Sequence, residues 1–323
     1  MELHYNCNMS CRTCNIWKRE FAVHRKRDEA IQSNDLFAIQ EKLAQAGIKH
    51  ISYVGGEPLL CKDIFGLMEE AKKNGLSAAL ITNGSLLTPY SIQKLIGSGL
   101  HTIIFSLDGT EEIHDTVRGK RGTFQKVVQN ISGIQREKKL NKIKKPKVCI
   151  YTTVSRLNFR CIPSVLNIAQ KADVNSIRFQ LVSVVTEGIS NQTNKVFQRD
   201  VVGYHSYAID DGLKLSPPDL KEVRNMMEVA KSWSEEVGIR IQIENFLMDP
   251  SFTRTCGFVK NGFVVNPYGD VLPCPMLTRY SIGNILEADL DSLWGNDAHS
   301  FFIKRLNELE KLPICQECCV GKR

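Results

Sequence analysis

Short runs of β-branched and aromatic residues alternate with amphipathic stretches along most of this chain. The apolar runs are "HISYV" (50–54), "SAALIT" (77–82), "HTIIFS" (101–106), "VCIYTTV" (148–154) and "SIRFQLV" (176–182). Each reads as a strand with a helix of the right period beside it. Ile64, Leu67, Met68 and Ala71 form one helical stripe that Gly75 should end, and Phe124, Val127, Val128, Ile131 and Ile134 form another. Thr88-Pro89 reads as a cap followed by a first-turn proline. With the opening "LHY" as a first strand, six strand–helix units are countable. The expected fold is therefore α/β, a partial (β/α)6 TIM-like barrel with its chemistry at the carboxyl ends of the strands.

From residue 183 the pattern loosens into a polar stretch without clear period, read as a substrate-side loop, before a helix over about 219–237 and a strand "IRIQIE" (239–244). Beyond it, "GFVVNPYGDVLPC" predicts a hairpin turning at Pro267-Tyr268-Gly269-Asp270, followed by two short helices and a cysteine-rich tail. The chain thus divides into a barrel over 1–245 and a small α+β domain over 246–323.

Composition permits this size of core: the chain has 323 residues, 42% of them hydrophobic. The net charge of +7 comes largely from "KREFAVHRKR" (18–27) and "REKKLNKIKKPK" (136–147). Such runs suit a solvated surface, and without interleaved aromatics they give nucleic acid little support as a partner. No signal-peptide pattern and no long uncharged apolar run is present, so a cytoplasmic protein without a membrane partner is expected. Eleven cysteines, odd in number and gathered at both ends, then point to metal ligands and a few buried thiols rather than disulfides.

Cys7, Cys11 and Cys14 follow the spacing Cys-x3-Cys-x2-Cys. Three such thiolates can hold three irons of a [4Fe-4S] cube and leave the fourth open, or they can make a zinc knob completed by His4 or His24. At the end of the second counted strand, "YVGGEPLL" (53–60) supplies Gly55 and Gly56 for close backbone approach and Glu57 as an acceptor for an ammonium group. In the tail, Cys256-x17-Cys274-x40-Cys315-x2-Cys318 suffices to saturate a second [4Fe-4S] cluster, or a zinc ribbon, with Cys319 adjacent to the last ligand.

Together these motifs resemble the radical S-adenosylmethionine (SAM) superfamily, in motif order from residue 3 to about 183. The tail "CGFVKNGFVVNPYGDVLPCP" with "IGNILEADLDSLW" resembles the SPASM and twitch auxiliary-cluster domains of the same enzymes. The resemblance implies two [4Fe-4S] clusters and SAM, whose amino and carboxylate groups take the open iron. It places Asn83 beside substrate, Ser106 at the SAM ribose, Arg118 at the SAM carboxylate and Leu181 against adenine. Where the family carries an aromatic before its third cysteine, this chain has Thr13, leaving Trp17 or another ring to substitute. The implied chemistry is reductive cleavage of SAM to a 5′-deoxyadenosyl radical that takes hydrogen from substrate, with the auxiliary cluster accepting the surplus electron and a flavodoxin- or ferredoxin-type donor supplying the first one. The start of the chain close to the cluster motif favours a small-molecule substrate, with ribosomal-peptide maturation as the alternative and a zinc-bearing nucleic-acid-binding module as the third reading. No catalytic acid, base or hydrogen donor is assignable.

Overall fold

The computed structural model describes residues 1–18, 31–203, 207–243, 256–309 and 311–318. Six parallel strands, β1 (His50–Tyr53), β2 (Ser77–Thr82), β3 (Thr102–Ser106), β4 (Lys147–Val154), β5 (Ser176–Leu181) and β6 (Arg240–Ile243), form one sheet in sequential order. Between them run α1 (Ser33–Gln45) ahead of the sheet, then α2 (Ile64–Lys73), α3 (Pro89–Gly97), α4 (Glu111–Arg118), α5 (Thr123–Leu140), α6 (Ile162–Lys171), α7 (Glu187–Phe197) and α8 (Pro217–Val237). The alternating apolar runs account for this: Ile51 and Tyr53 of β1, and Leu80 and Phe105 of its neighbours, are buried inside one continuous core. The stripe of α2 is buried as expected, and Gly75 (φ +72°) turns the chain out of that helix. Thr88 caps α3 with Pro89 in its first turn. The fold is α/β and partial-barrel-like.

Two expectations need correction. "LHY" does not form a regular strand: the only bridge there among the described residues, Glu2 to Val54, falls on the residue before it, and the sixth strand is instead β6, paired with β5 from Ser176–Arg240 onward. Beyond that bridge the opening segment pairs with the Gly-Gly-Glu turn, where Gly55 (φ +130°) interrupts the extended backbone; the Gly56 and Glu57 amides donate to the His4 and Asn6 carbonyls at 2.8 and 2.9 Å. Nor is 183–218 simply a loop, for it contains α7. That helix was hidden because its buried positions, Thr193 and Phe197, lie among Asn, Gln and Ser. The Thr186 hydroxyl caps it, accepting from the Ile189 amide.

The tail opens with α9 (Gly257–Asn261) and a two-stranded antiparallel ribbon, β7 (Val264–Val265) with β8 (Val271–Leu272), and continues into α10 (Leu290–Leu293) and α11 (Asp297–Glu308). Gly269 holds φ +82° in the turn, as its position in the hairpin demands. The ribbon packs on the start of the chain: the Glu2 amide donates to the Val265 carbonyl at 2.8 Å, and the Tyr5 and Tyr268 rings lie 6.4 Å apart. The expected domain boundary at 245/246, His24, Cys319 and most of the first basic run lie outside the described residues. Among the described residues, no helix is long and apolar enough to cross a membrane.

Candidate active site

The segment carrying Cys7, Cys11 and Cys14 has no regular structure of its own and is pinned from three sides. At the carboxyl end of β2, Asn83 donates to the Asn8 side chain at 2.8 Å, and Asn8 in turn donates to Ser85 at 2.9 Å. At the end of α4, the Arg12 amide donates to the Val117 carbonyl at 2.8 Å, and Ser10 lies so close to Gly119 that a Cβ there would stand 2.4 Å from the Ser10 carbonyl oxygen. From within, the Trp17 indole N–H donates to the Cys11 and Cys14 carbonyls at 3.1 and 2.8 Å. Asn15, buried, donates to the Tyr207 carbonyl at 2.7 Å and ties the segment to the α7–α8 connection.

These constraints shape a cavity of about 160 Å3 at the carboxyl ends of β1, β2 and β3. Its walls include Cys7, Cys11, Cys14, Trp17, Gly55, Gly56, Glu57, Asn83, Ser106 and Arg118. The two glycines are required by close approach: a Cβ at Gly55 would stand 2.4 Å from the His4 carbonyl oxygen, and one at Gly56 2.0 Å from that of Asn6. Met9, Ile16, Val54 and Ile81 line the rest; nothing in their local sequence separates them from ordinary core residues.

Glu57 is almost fully buried and already well used. Its carboxylate accepts from the Thr82 hydroxyl at 2.6 Å, the Asn83 amide at 2.8 Å and the Leu59 amide at 3.1 Å. A carboxylate offers about four acceptor positions, so one remains for a donor in the cavity. Burial raises its pKa, against the pull of those three donors. The Asn83 side chain is likewise engaged with Asn8 and Ser85.

The Arg118 side chain is largely buried. Its Nη2 lies 2.7 Å from the Asp108 carboxylate as an ion pair, out of line for a hydrogen bond. Its Nη1 donates to the Cys11 sulfur at 3.8 Å, and its Nε–H is buried without a protein partner. Burial opposes the guanidinium charge, but Asp108, Cys11 and Cys14 more than offset it and hold the pKa above the ordinary value. Burial pushes the Cys14 thiol up to about 12, with Cys11 adding to the shift, and it raises Cys7 and Cys11 as well. Three thiols, Cys11 buried and Cys7 and Cys14 partly so, beside one cation and one unspent N–H suit an iron cluster carrying an anionic ligand. Among the described residues no three His, Cys, Asp or Glu converge on a single ion; His24, one of the two histidines of the zinc reading, lies outside them.

Leu181 ends β5 inside the core and is not among the cavity's walls. Thr13 is absent from the walls too, whereas Trp17 is one of them. The role of Asp108 was missed, because a buried ion pair across a helix has no local sequence signal.

In the tail, Cys256 precedes α9, Cys274 follows β8, Cys315 sits in a short 3-10 turn at Pro313–Gln316, and Cys318 is buried with its amide directed at the Cys315 carbonyl. Burial pushes the Cys274 thiol up to about 12, and the nearby Cys315 and Cys256 thiols add to it. Thiols from three separate elements thus share one electrostatic environment, in keeping with a second cluster. Of the remaining cysteines, Cys149 is buried and accepts from the Ser176 hydroxyl at 3.0 Å, while Cys161 is only half buried.

The profile of the radical SAM superfamily matches residues 1–139, and that of an iron-sulfur cluster-binding domain, SPASM, matches residues 256–319. The chain is 25% identical to an AdoMet-dependent heme synthase of Methanosarcina barkeri, over 100% of this chain and 89% of that protein. It is 24% identical to a PqqA peptide cyclase of Bradyrhizobium diazoefficiens, over 92% of this chain and 70% of that one. Streptococcus suis SuiB bound to S-adenosylmethionine shares the fold with a TM-score of 0.69 at 17% identity, over 99% of this chain and 71% of the other. The chain is a radical SAM superfamily enzyme with a C-terminal SPASM-type domain, using SAM and two [4Fe-4S] clusters.

Proposed function

We propose that Cys7, Cys11 and Cys14 hold the SAM-binding cluster, that Cys256, Cys274, Cys315 and Cys318 hold the auxiliary cluster, and that the enzyme carries out a net oxidation of a small-molecule substrate. The observation that carries this reading is the cavity itself, where the three thiols meet the Gly-Gly-Glu turn, Ser106 and Arg118. Gly55 and Gly56 let the turn close on His4 and Asn6 and so form one wall of the cavity, the unspent position on Glu57 accepts from the SAM ammonium, and the orphan Nε–H of Arg118 donates to its carboxylate. Ser106 faces the ribose, and the Trp17 ring stands in for the aromatic that Thr13 does not supply. Met9, Ile16, Val54 and Ile81 exclude water from the same space. A cluster held by Cys7, Cys11 and Cys14 would supply the one electron for reductive cleavage of the SAM S–C5′ bond, with methionine and a 5′-deoxyadenosyl group as the products, the latter to take hydrogen from substrate.

The heme synthase of Methanosarcina barkeri, similar over the full length of this chain, supports a small-molecule substrate. Likeness to the PqqA peptide cyclase over most of the chain supports a second reading, maturation of a peptide. A flavodoxin- or ferredoxin-type protein is the proposed electron donor. The test is incubation of reduced enzyme and SAM with deuterated candidates of both classes: label should enter 5′-deoxyadenosine from a small molecule, whereas label arriving only from a peptide selects the second reading.

A further inference from the structure

Asp108 is wholly buried, and a buried carboxylate is costly unless it is paired and fixed. Every direction around it is fixed. Its Oδ2 faces Arg118 Nη2 at 2.7 Å, and its Oδ1 accepts from the Thr153 amide at 3.3 Å. Its own amide donates to His114 Nδ1 at 3.2 Å, and its carbonyl accepts from Asn158 at 2.9 Å. Burial, with Arg118 adding to it, pushes the His114 pKa down to about 3, so this histidine brings no second charge to the pair. The carboxylate is therefore held by β4 and α4, and its backbone by α4 and the turn after β4. The guanidinium it holds reaches the Cys11 sulfur with its other end, at 3.8 Å. Among the described residues lining the cavity, Arg118 is the only Arg or Lys.

We propose that Asp108 is a positioning residue which aims Arg118 at the Cys11 sulfur and balances its charge, so that the pair sets the reduction potential of the cluster held there. The inference rests on the ligand set proposed above. Hydrogen bonds and charge near a cluster's sulfurs are known levers on its potential. An unbalanced cation beside a cluster stabilises the reduced form, and loss of the cation stabilises the oxidised form. Asp108 and Arg118 should therefore act in opposite directions, which a merely structural ion pair would not do.

The test is potentiometric titration of the anaerobically reconstituted full chain, following the SAM-responsive cluster by electron paramagnetic resonance. Asp108→Asn should move its midpoint to higher potential, Arg118→Gln to lower potential, and Asp108→Glu should return it toward the wild-type value. Iron content and circular dichroism establish that each variant is folded and loaded. If Asp108→Asn does not fold, the direction of the Arg118→Gln shift still decides. Unchanged midpoints, or shifts of the same sign in loaded variants, would overturn the proposal. Failure of the underlying ligand assignment is distinguishable, since Cys11→Ala would then keep the SAM-responsive signal.

Discussion

Gly56 is the residue on which the cavity's geometry turns most tightly. An added methyl would stand 2.0 Å from the Asn6 carbonyl oxygen, and backbone cannot yield as a flexible side chain does. Gly56→Ala should cost about 2 kcal/mol or more in chemical denaturation. It should also lower the iron bound near Cys7, one residue beyond Asn6, while leaving the tail's iron in place. Trp17 separates two roles. Trp17→Phe keeps a ring but loses the one indole N–H that serves both the Cys11 and Cys14 carbonyls, and Trp17→Leu loses the ring as well. SAM affinity by equilibrium dialysis should fall in the order wild type, Phe, Leu; equal affinity for all three would remove the ring from the SAM site. The buried thiols add a pH dependence. Cys14 and Cys274 rise from 9.0 to about 12 in the folded, metal-free chain. The folded state then keeps protons that the unfolded state gives up, so metal-free stability is full below the unfolded value and falls as pH rises from 9 toward 12. Denaturation midpoints of iron-free protein at increasing pH should show this decline. Loaded protein should not, because its ligating thiolates carry no proton in the folded state and the unfolded thiols have already given theirs up in that range.

At the scale of elements, local chemistry predicts energies that can be checked one cap at a time. Ser216 opens α8 in a reciprocal capping box with Asp219, followed by Pro217 at the first helical position. Ser216→Ala should therefore cost about 1 kcal/mol of stability in urea titrations without changing SAM cleavage. The same logic explains what the sequence made legible. The stripes of α2 and α5, the Thr88 cap and the Gly269 turn are local patterns, and the elements stand where those patterns put them. The failures were non-local. "LHY" is extended in composition, but only Leu3 meets the end of a strand, at Val54, while His4 meets the glycine turn after it, so no regular ladder forms. In α7 the polar surface outnumbers its buried positions and masks the helical period. At the site, cysteine spacing and Gly-Gly-Glu were readable as local motifs, and the fold brings both to one cavity. Asp108, Asn8 and Asn15 were not, because each is defined only by what the fold brings against it.

For the whole molecule, one continuous core spans the sheet and the tail, with Leu3, Val265 and Phe302 in the same buried cluster. The ribbon of the tail touches the chain five residues or fewer before Cys7, through Glu2 and Tyr5, so the two cysteine sets belong to one packed body rather than to independent modules. The central claim is that these sets divide two tasks, SAM cleavage at the first and electron acceptance at the second. The most direct measurement pairs iron content with 5′-deoxyadenosine formation in the reconstituted chain and two multiple variants. Wild type should hold about eight irons, two cubanes' worth. Replacing Cys7, Cys11 and Cys14 with Ala should remove about half of the iron and all SAM cleavage. Replacing Cys256, Cys274, Cys315 and Cys318 should remove the other half, leaving SAM cleavage largely intact while substrate oxidation stops. SAM cleavage that survives loss of the first three cysteines, or zinc in place of iron at both sets, would contradict the account.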